Sequence, residues 1–175
     1  MADLEPQKIK EEFWTPKRAA RIAILIALSG VGALIKIPSP TGTVALDSAP
    51  GYFVAIAFGP LEGMLVAGIG HIFTALTTGF PLSLPVHFYV AIQMAVYAYL
   101  FFMASKKINL ITGIIIATAL NGVLASALMI PIGGAGMFVS LLPSLTAGSL
   151  VNLLIAAAAY KIVSQSNLSG EDLNS

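Results

Sequence analysis

Between Arg21 and Lys106 the sequence carries only five acidic, basic or imidazole side chains: Lys36, Asp47, Glu62, His71 and His87. Asp47 with His87 is the one acid-base pair on which an enzyme acting on lipid could rest. A metal site would need more histidines and acids than His71 and His87 provide. The sequence contains no P-loop, no H-E-x-x-H, no G-x-S-x-G and no paired carboxylates, so it lacks the usual equipment for ATP hydrolysis, metalloproteolysis, acyl transfer or glycoside hydrolysis. It has no cysteine, which excludes thiolate catalysis, disulfides and Cys-based metal sites. What remains suits hydrogen bonding better than bond-making. Gln93, Asn121 and Asn152 join the histidines as polar groups in apolar surroundings, and each has two readings: a bond to a neighbouring helix, or a contact to a bound molecule. Lys36 and Asp47 share that ambiguity, since an interfacial charge can snorkel to water or pin a loop in a salt bridge.

The elements that must position these groups are those of an all-α integral membrane protein. Hydrophobic residues make up 57% of the 175-residue chain and charged residues 10%, with a mean hydropathy of +0.90; soluble domains carry about 25% charged residues. The formal net charge of +1 offers no footprint for nucleic acid. Gly, Pro and polar clusters divide the chain into six apolar segments at about 19–37, 44–58, 61–78, 86–104, 110–130 and 141–162. The expected fold is therefore a six-transmembrane-helix bundle. Lys8, Lys10, Lys17, Arg18, Arg21, Lys106, Lys107 and Lys161 all fall on one face if the chain crosses six times, with Lys36 alone on the other. The positive-inside rule then places both termini in the cytoplasm. On this reading 1–18 is a cytoplasmic N-terminal segment, 19–163 the transmembrane domain and 164–175 a cytoplasmic polar tail. The second segment is short for a bilayer, at about 15 residues and 1.5 Å per residue. The N-terminus mimics a signal peptide, but Asp3, Glu5, Glu11 and Glu12 in its basic region argue against cleavage.

Polar residues crowd one half of this bundle. Lys36, Thr43, Asp47, His87 and the Gly133-to-Ser140 loop lie toward the outer side, while His71, Gln93, Asn121 and Asn152 lie deeper within helices. Such a cluster at a bundle mouth fits capture of a small polar molecule. The first helix carries another signal: Ala19, Ala23 and Ala27 recur every four residues, a spacing that lets another helix approach closely, inside the bundle or from a partner protein.

A basic N-terminus, an A-x-x-x-A first helix, the stretch from Ile37 to Gly51, then Gly59-Pro60-Leu61-Glu62-Gly63 and Gly70-His71 together resemble the substrate-binding S-component of an energy-coupling factor (ECF) vitamin transporter, most like its α-ribazole branch. The resemblance implies a multi-pass protein of the bacterial cell membrane, not an enzyme, that uses no cofactor or metal. It implies binding of a vitamin or vitamin precursor, with a membrane T-component and two cytoplasmic ATPases driving transport. The alanine face at Ala19, Ala23 and Ala27 would meet the T-component, and loops 38–43, 79–85 and 131–140 would cover the ligand. For α-ribazole, Tyr52, Phe80, Phe88 and Phe138 are candidates for an aromatic wall, and Asp47, His71, His87, Asn121 and Asn152 for the ribose. Lys36, Thr43 and Gln93 complete the candidate binding set. Lys36 leaves room for an anionic cargo such as pantothenate or biotin, riboflavin is a further alternative, and a small structural or assembly membrane protein is the reading from another class.

Overall fold

A computed structural model describes residues 14–39 and 42–166; the side chains of 37–39 and 42–44 lie outside the described set. Six helices follow one another: α1 (Pro16–Gly32), α2 (Ala49–Ala57), α3 (Pro60–Thr78), α4 (Leu84–Lys107), α5 (Leu110–Leu128) and α6 (Ile130–Gln165). Four of them, α3 to α6, are long and apolar enough to cross a membrane. Helix α2 has nine residues, about 14 Å at 1.5 Å per residue, and cannot cross a ~30 Å core alone.

Local chemistry sets the helix limits. Thr15 caps α1 by accepting from the Arg18 amide at 3.2 Å, and Asn109 caps α5 by accepting from the Thr112 amide at 2.8 Å. Gly59, at φ 137°, makes the break between α2 and α3 that a residue with a Cβ would strain, and Pro60 opens α3, where its missing N–H costs nothing. Helices α2 and α3 form a tight hairpin because Gly51 and Gly63 lie directly against Ala67 and Ala55.

Two expectations need correction. The first apolar segment does not stay helical to residue 37. Helix α1 ends at Gly32, and the chain then forms an antiparallel hairpin of β1 (Lys36–Ser39) and β2 (Gly42–Ala45), with Lys36 opposite Ala45 and Ser39 opposite Gly42. The Pro- and Gly-rich composition signalled a turn but hid the strands on either side. The Gly-rich stretch 131–140, expected as a loop, is helical and broken only at Gly134 (φ 72°, ψ −175°). A glycine run permits a loop without requiring one.

The core is a cluster around Tyr52, Ala98, Phe101, Ala117 and Leu153, where α2, α4, α5 and α6 meet. Tyr52 is fully buried, its ring edge-on to Phe101 at 5.3 Å. The outer faces are as apolar as the inside: Ile24, Leu76, Ile92, Ile111, Ile115 and Val139 are all more than 60% exposed. Water would not tolerate that surface, whereas lipid matches it. At the end holding the α2–α3 turn, Glu62 is 2% exposed and pairs with Arg18 Nε at 2.7 Å and Arg21 Nη2 at 3.3 Å. Its carboxylate sits in the first turn of α3, where the helix dipole favours negative charge. Arg21 also lies 4.0 Å from the Phe58 ring centroid, so these contacts clamp α1 to the α2–α3 hairpin.

Candidate functional site

The other end of the bundle holds the β-hairpin, the α3–α4 turn and the start of α6, and beneath them lies a cavity of about 190 Å³. Its wall is mixed. Asp47, Ser48, His71, Thr74, His87, Gln93, Asn121, Ser149 and Asn152 supply polar atoms, while Leu82, Val90, Met94, Met129, Leu141 and Leu145 are among the apolar ones.

The polar groups come from the segment before α2 and from α3, α4, α5 and α6. His71 and Thr74 are three residues apart on α3 and so share a face. Thr74 Oγ1 donates to the Asp47 carboxylate at 2.5 Å, tying the segment after β2 to α3. His71 Nε2 and His87 Nδ1 are 3.2 Å apart with the rings stacked, joining α3 to α4. One of those nitrogens carries the hydrogen and the other accepts it, so the state of His87 Nε2 follows from which donates. His87 Nε2 is buried without a partner among the described residues, and so is Gln93 Nε2, whereas Gln93 Oε1 accepts from Tyr97 at 3.3 Å. Buried polar atoms left open are costly unless a bound molecule meets them.

Asn121 reaches the cavity from a π-helical turn, Leu120–Leu124, within α5. Gly122 in that turn packs directly against Thr146 of α6, leaving no space for a Cβ. Inserted turns of this kind redirect side chains and recur at functional sites. Asn152, 1% exposed, is a girder: Oδ1 accepts from the Ala49 amide at 2.9 Å, and Nδ2 donates to Ala45 O at 3.1 Å and Gly148 O at 2.9 Å. It therefore caps α2 from α6, a task that the Ser48 side chain does not perform.

Asp47, His71, His87, Gln93, Asn121 and Asn152 all line the cavity. Lys36 does not: it is exposed on β1, and no lysine or arginine is among the lining residues. Thr43 lies in β2, and its side chain is outside the described residues. Tyr52 is packed beneath in the core, and Phe138 is half-buried on α6 away from the lining. The expected aromatic wall of Tyr52, Phe80, Phe88 and Phe138 is absent from the cavity surface. Phe88 is 52% exposed, and Phe80 stands behind His87, edge-on at 5.7 Å. The flat surfaces in the lining are the two imidazoles, and Met94 and Met129 add flexible thioethers that pack well on rings.

Thr74 and Ser149 were not singled out from the sequence. Serines and threonines in apolar helices commonly bond their own backbone, as Thr74 also does to Gly70 O at 3.2 Å. The one available signal was the three-residue spacing from His71 to Thr74. The turn at the rim is strained: Phe80 (φ 52°) and Ser83 (φ 85°) both have positive φ without being glycine. Such strain gathers at ligand clamps. On α1, Ala19, Ala23 and Ala27 are all exposed, while Ile22 and Ser29 turn inward.

A family model described as ECF transporter, substrate-specific component, matches residues 17–164. Among solved structures, one described as "Structure and mechanism of the S component of a bacterial ECF transporter" superposes with a TM-score of 0.63 over 87% of this chain and 95% of that one, at 22% identity. The superposition shows a shared fold. No curated protein matches the chain.

Proposed function

The chain belongs to the family of ECF transporter substrate-specific components, and from that premise we propose that it is the high-affinity binding subunit of an importer for a vitamin or vitamin precursor, α-ribazole fitting best. It is a membrane-embedded, substrate-binding transporter subunit and not an enzyme. The observation that carries the choice of cargo is the charge of the cavity: one carboxylate, two imidazoles, neutral amides and hydroxyls, and no lysine or arginine. A buried anion needs a cationic or amide-rich partner to offset its lost hydration. Pantothenate and biotin are anions that would face Asp47, whereas a neutral nucleoside offers hydroxyls to Asp47, Asn121 and Gln93 and a flat ring to His71, His87, Met94 and Met129. The cavity volume of about 190 Å³ is below the ~300 Å³ at which sites for drug-sized molecules begin. A nucleoside therefore enters with some opening of the rim, and the strained turn at Phe80–Ser83 is the segment suited to that movement.

The remaining roles follow the family. The bundle end with Lys17, Arg18, Arg21, Lys106 and Lys107 faces the cytoplasm, and the cavity opens outward, in a bacterial cell membrane. The T-component docks on the exposed alanines Ala19, Ala23 and Ala27, and two cytoplasmic ATPases supply the energy that this chain has no motif to harvest. Titration calorimetry of the purified chain tests the cargo. Saturable binding of α-ribazole with no heat from pantothenate or biotin is expected, and preferred binding of either anion would overturn the assignment.

A further inference from the structure

One turn of α4 beyond the cavity stands a tyrosine that is not part of its wall. His87, Val90, Gln93 and Met94 all line the cavity, at the spacing of one helix face. Tyr97 follows four residues after Gln93, on the same side of α4 and about 6 Å further along its axis. It is 3% exposed, is absent from the lining, and packs its ring in the core cluster with Tyr52 and Phe101. Its hydroxyl donates to Gln93 Oε1 at 3.3 Å.

That bond fixes which end of the Gln93 amide meets the cavity. A phenol carries one hydrogen, and Gln93 Oε1 is the only acceptor it reaches among the described residues. Turning the amide over would place Nε2 against the hydroxyl oxygen, and the hydroxyl hydrogen would then be buried with no acceptor, a costly state. Gln93 is 7% exposed, and its Nε2 is buried without a partner among the described residues. The cavity therefore meets a donor at this position. His87 Nε2 has no such fixed sense. The hydrogen between His71 Nε2 and His87 Nδ1 can reside on either ring, so His87 Nε2 donates in one tautomer and accepts in the other.

We propose that, in the cavity read above as the ligand site, Tyr97 is a positioning residue that locks the Gln93 amide so that Nε2 presents its hydrogens to a lone pair on the ligand. The group met there is an oxygen or a ring nitrogen; an N–H or an ammonium would set donor against donor. A benzimidazole riboside satisfies this rule, since its unglycosylated ring nitrogen and its ribose oxygens are acceptors and its ring carries no N–H. The adjustable edge at His87 takes either sense, so the discrimination falls to Gln93 and, through it, to Tyr97.

Raman spectra of the ligand-free full chain test the lock, because the intensity ratio of the tyrosine ring doublet distinguishes a phenol that donates from one that accepts. Subtracting the spectrum of Tyr97→Phe from that of the parent isolates Tyr97 among the five tyrosines. A donor signature is expected, and the doublet should change in Gln93→Leu. An acceptor signature, or a doublet unmoved by Gln93→Leu, would overturn the proposal. Titration calorimetry with α-ribazole reads the ligand side. Gln93→Ala should weaken binding about fivefold, within the range of one neutral hydrogen bond. Tyr97→Phe keeps the ring packing and should weaken binding about threefold in the parent but not further in Gln93→Ala, because groups that act through one another are non-additive. Equal losses in both backgrounds would make Tyr97 a packing residue and overturn the proposal. The Raman result needs no ligand, so a failure of α-ribazole to bind the parent would strike the cargo assignment while the polarity of the amide is still decided.

Discussion

Replacing Asn152 with alanine should unfold the roof of the cavity before it affects anything else. The Asn152 side chain makes three hydrogen bonds, to the Ala49 amide, Ala45 O and Gly148 O. Gly148 O is a helix carbonyl four residues back and keeps its place in the α6 ladder. The other two groups lie where β2 gives way to α2, next to buried Ser48 and Pro50, and Pro50 has no N–H to share the capping of α2. Truncation leaves one buried donor and one buried acceptor unmet, at about 1–3 kcal/mol each. Polar bonds within membrane bundles average nearer 0.6 kcal/mol because the competing state also finds partners, so a combined loss of ~3 kcal/mol is a middle value. For a chain of this size that corresponds to a fall in Tm of roughly 6–12 °C. Thermal unfolding of the purified protein in detergent reads it directly. Asn152→Asp should recover only part, because it still accepts from Ala49 but sets an oxygen against Ala45 O. Asn121→Ala supplies the contrast: Asn121 lines the cavity from the π-helical turn, and its loss should weaken ligand binding with little change in Tm. If Asn152→Ala melts within a degree or two of the parent, the girder role is wrong.

Asp47→Ala should weaken ligand binding about tenfold or more while the protein stays folded, because a charged hydrogen-bond partner is worth about 1.5–3 kcal/mol; normal affinity by calorimetry would remove Asp47 from the contact set. Ala23→Leu should impair uptake by the assembled transporter and leave affinity of the isolated chain unchanged, since Ala23 is exposed on α1 and a leucine holds a partner helix off; uptake at the parental rate would argue against docking on this face. Ser83→Gly should raise Tm, because φ 85° and ψ 155° fall in a region kept almost entirely for glycine and cost another residue about 1–3 kcal/mol. A lower Tm would contradict that strain.

Much of the architecture was legible because lipid imposes simple demands on a sequence: long apolar runs, and basic residues gathered on one side. The six polar residues that line the cavity stood out for the same reason, since His71, His87, Gln93, Asn121, Asn152 and Asp47 interrupt apolar surroundings. What composition could not resolve was direction. Lys36 and Asp47 look alike as charges flanking one loop, but the β-hairpin carries the first to the surface and the second to the cavity. Tyr52 and Phe88 both looked like ring-binding aromatics, yet one is core and the other faces outward. The distinction between Asn152 as girder and Asn121 as cavity lining depends on long-range partners, and the π-helical turn that aims Asn121 leaves no signature in periodicity.

The central claim is that the outer cavity binds a small molecule without net negative charge through its open polar atoms. Mass spectrometry of small molecules retained by the detergent-purified protein, run beside the Gln93→Ala, Asn121→Ala double variant, tests it most directly. The account predicts one neutral or cationic compound, with the mass of a vitamin or vitamin precursor, held at near-stoichiometric amount by the parent chain and lost from the double variant. An anionic vitamin held equally by both proteins would contradict it.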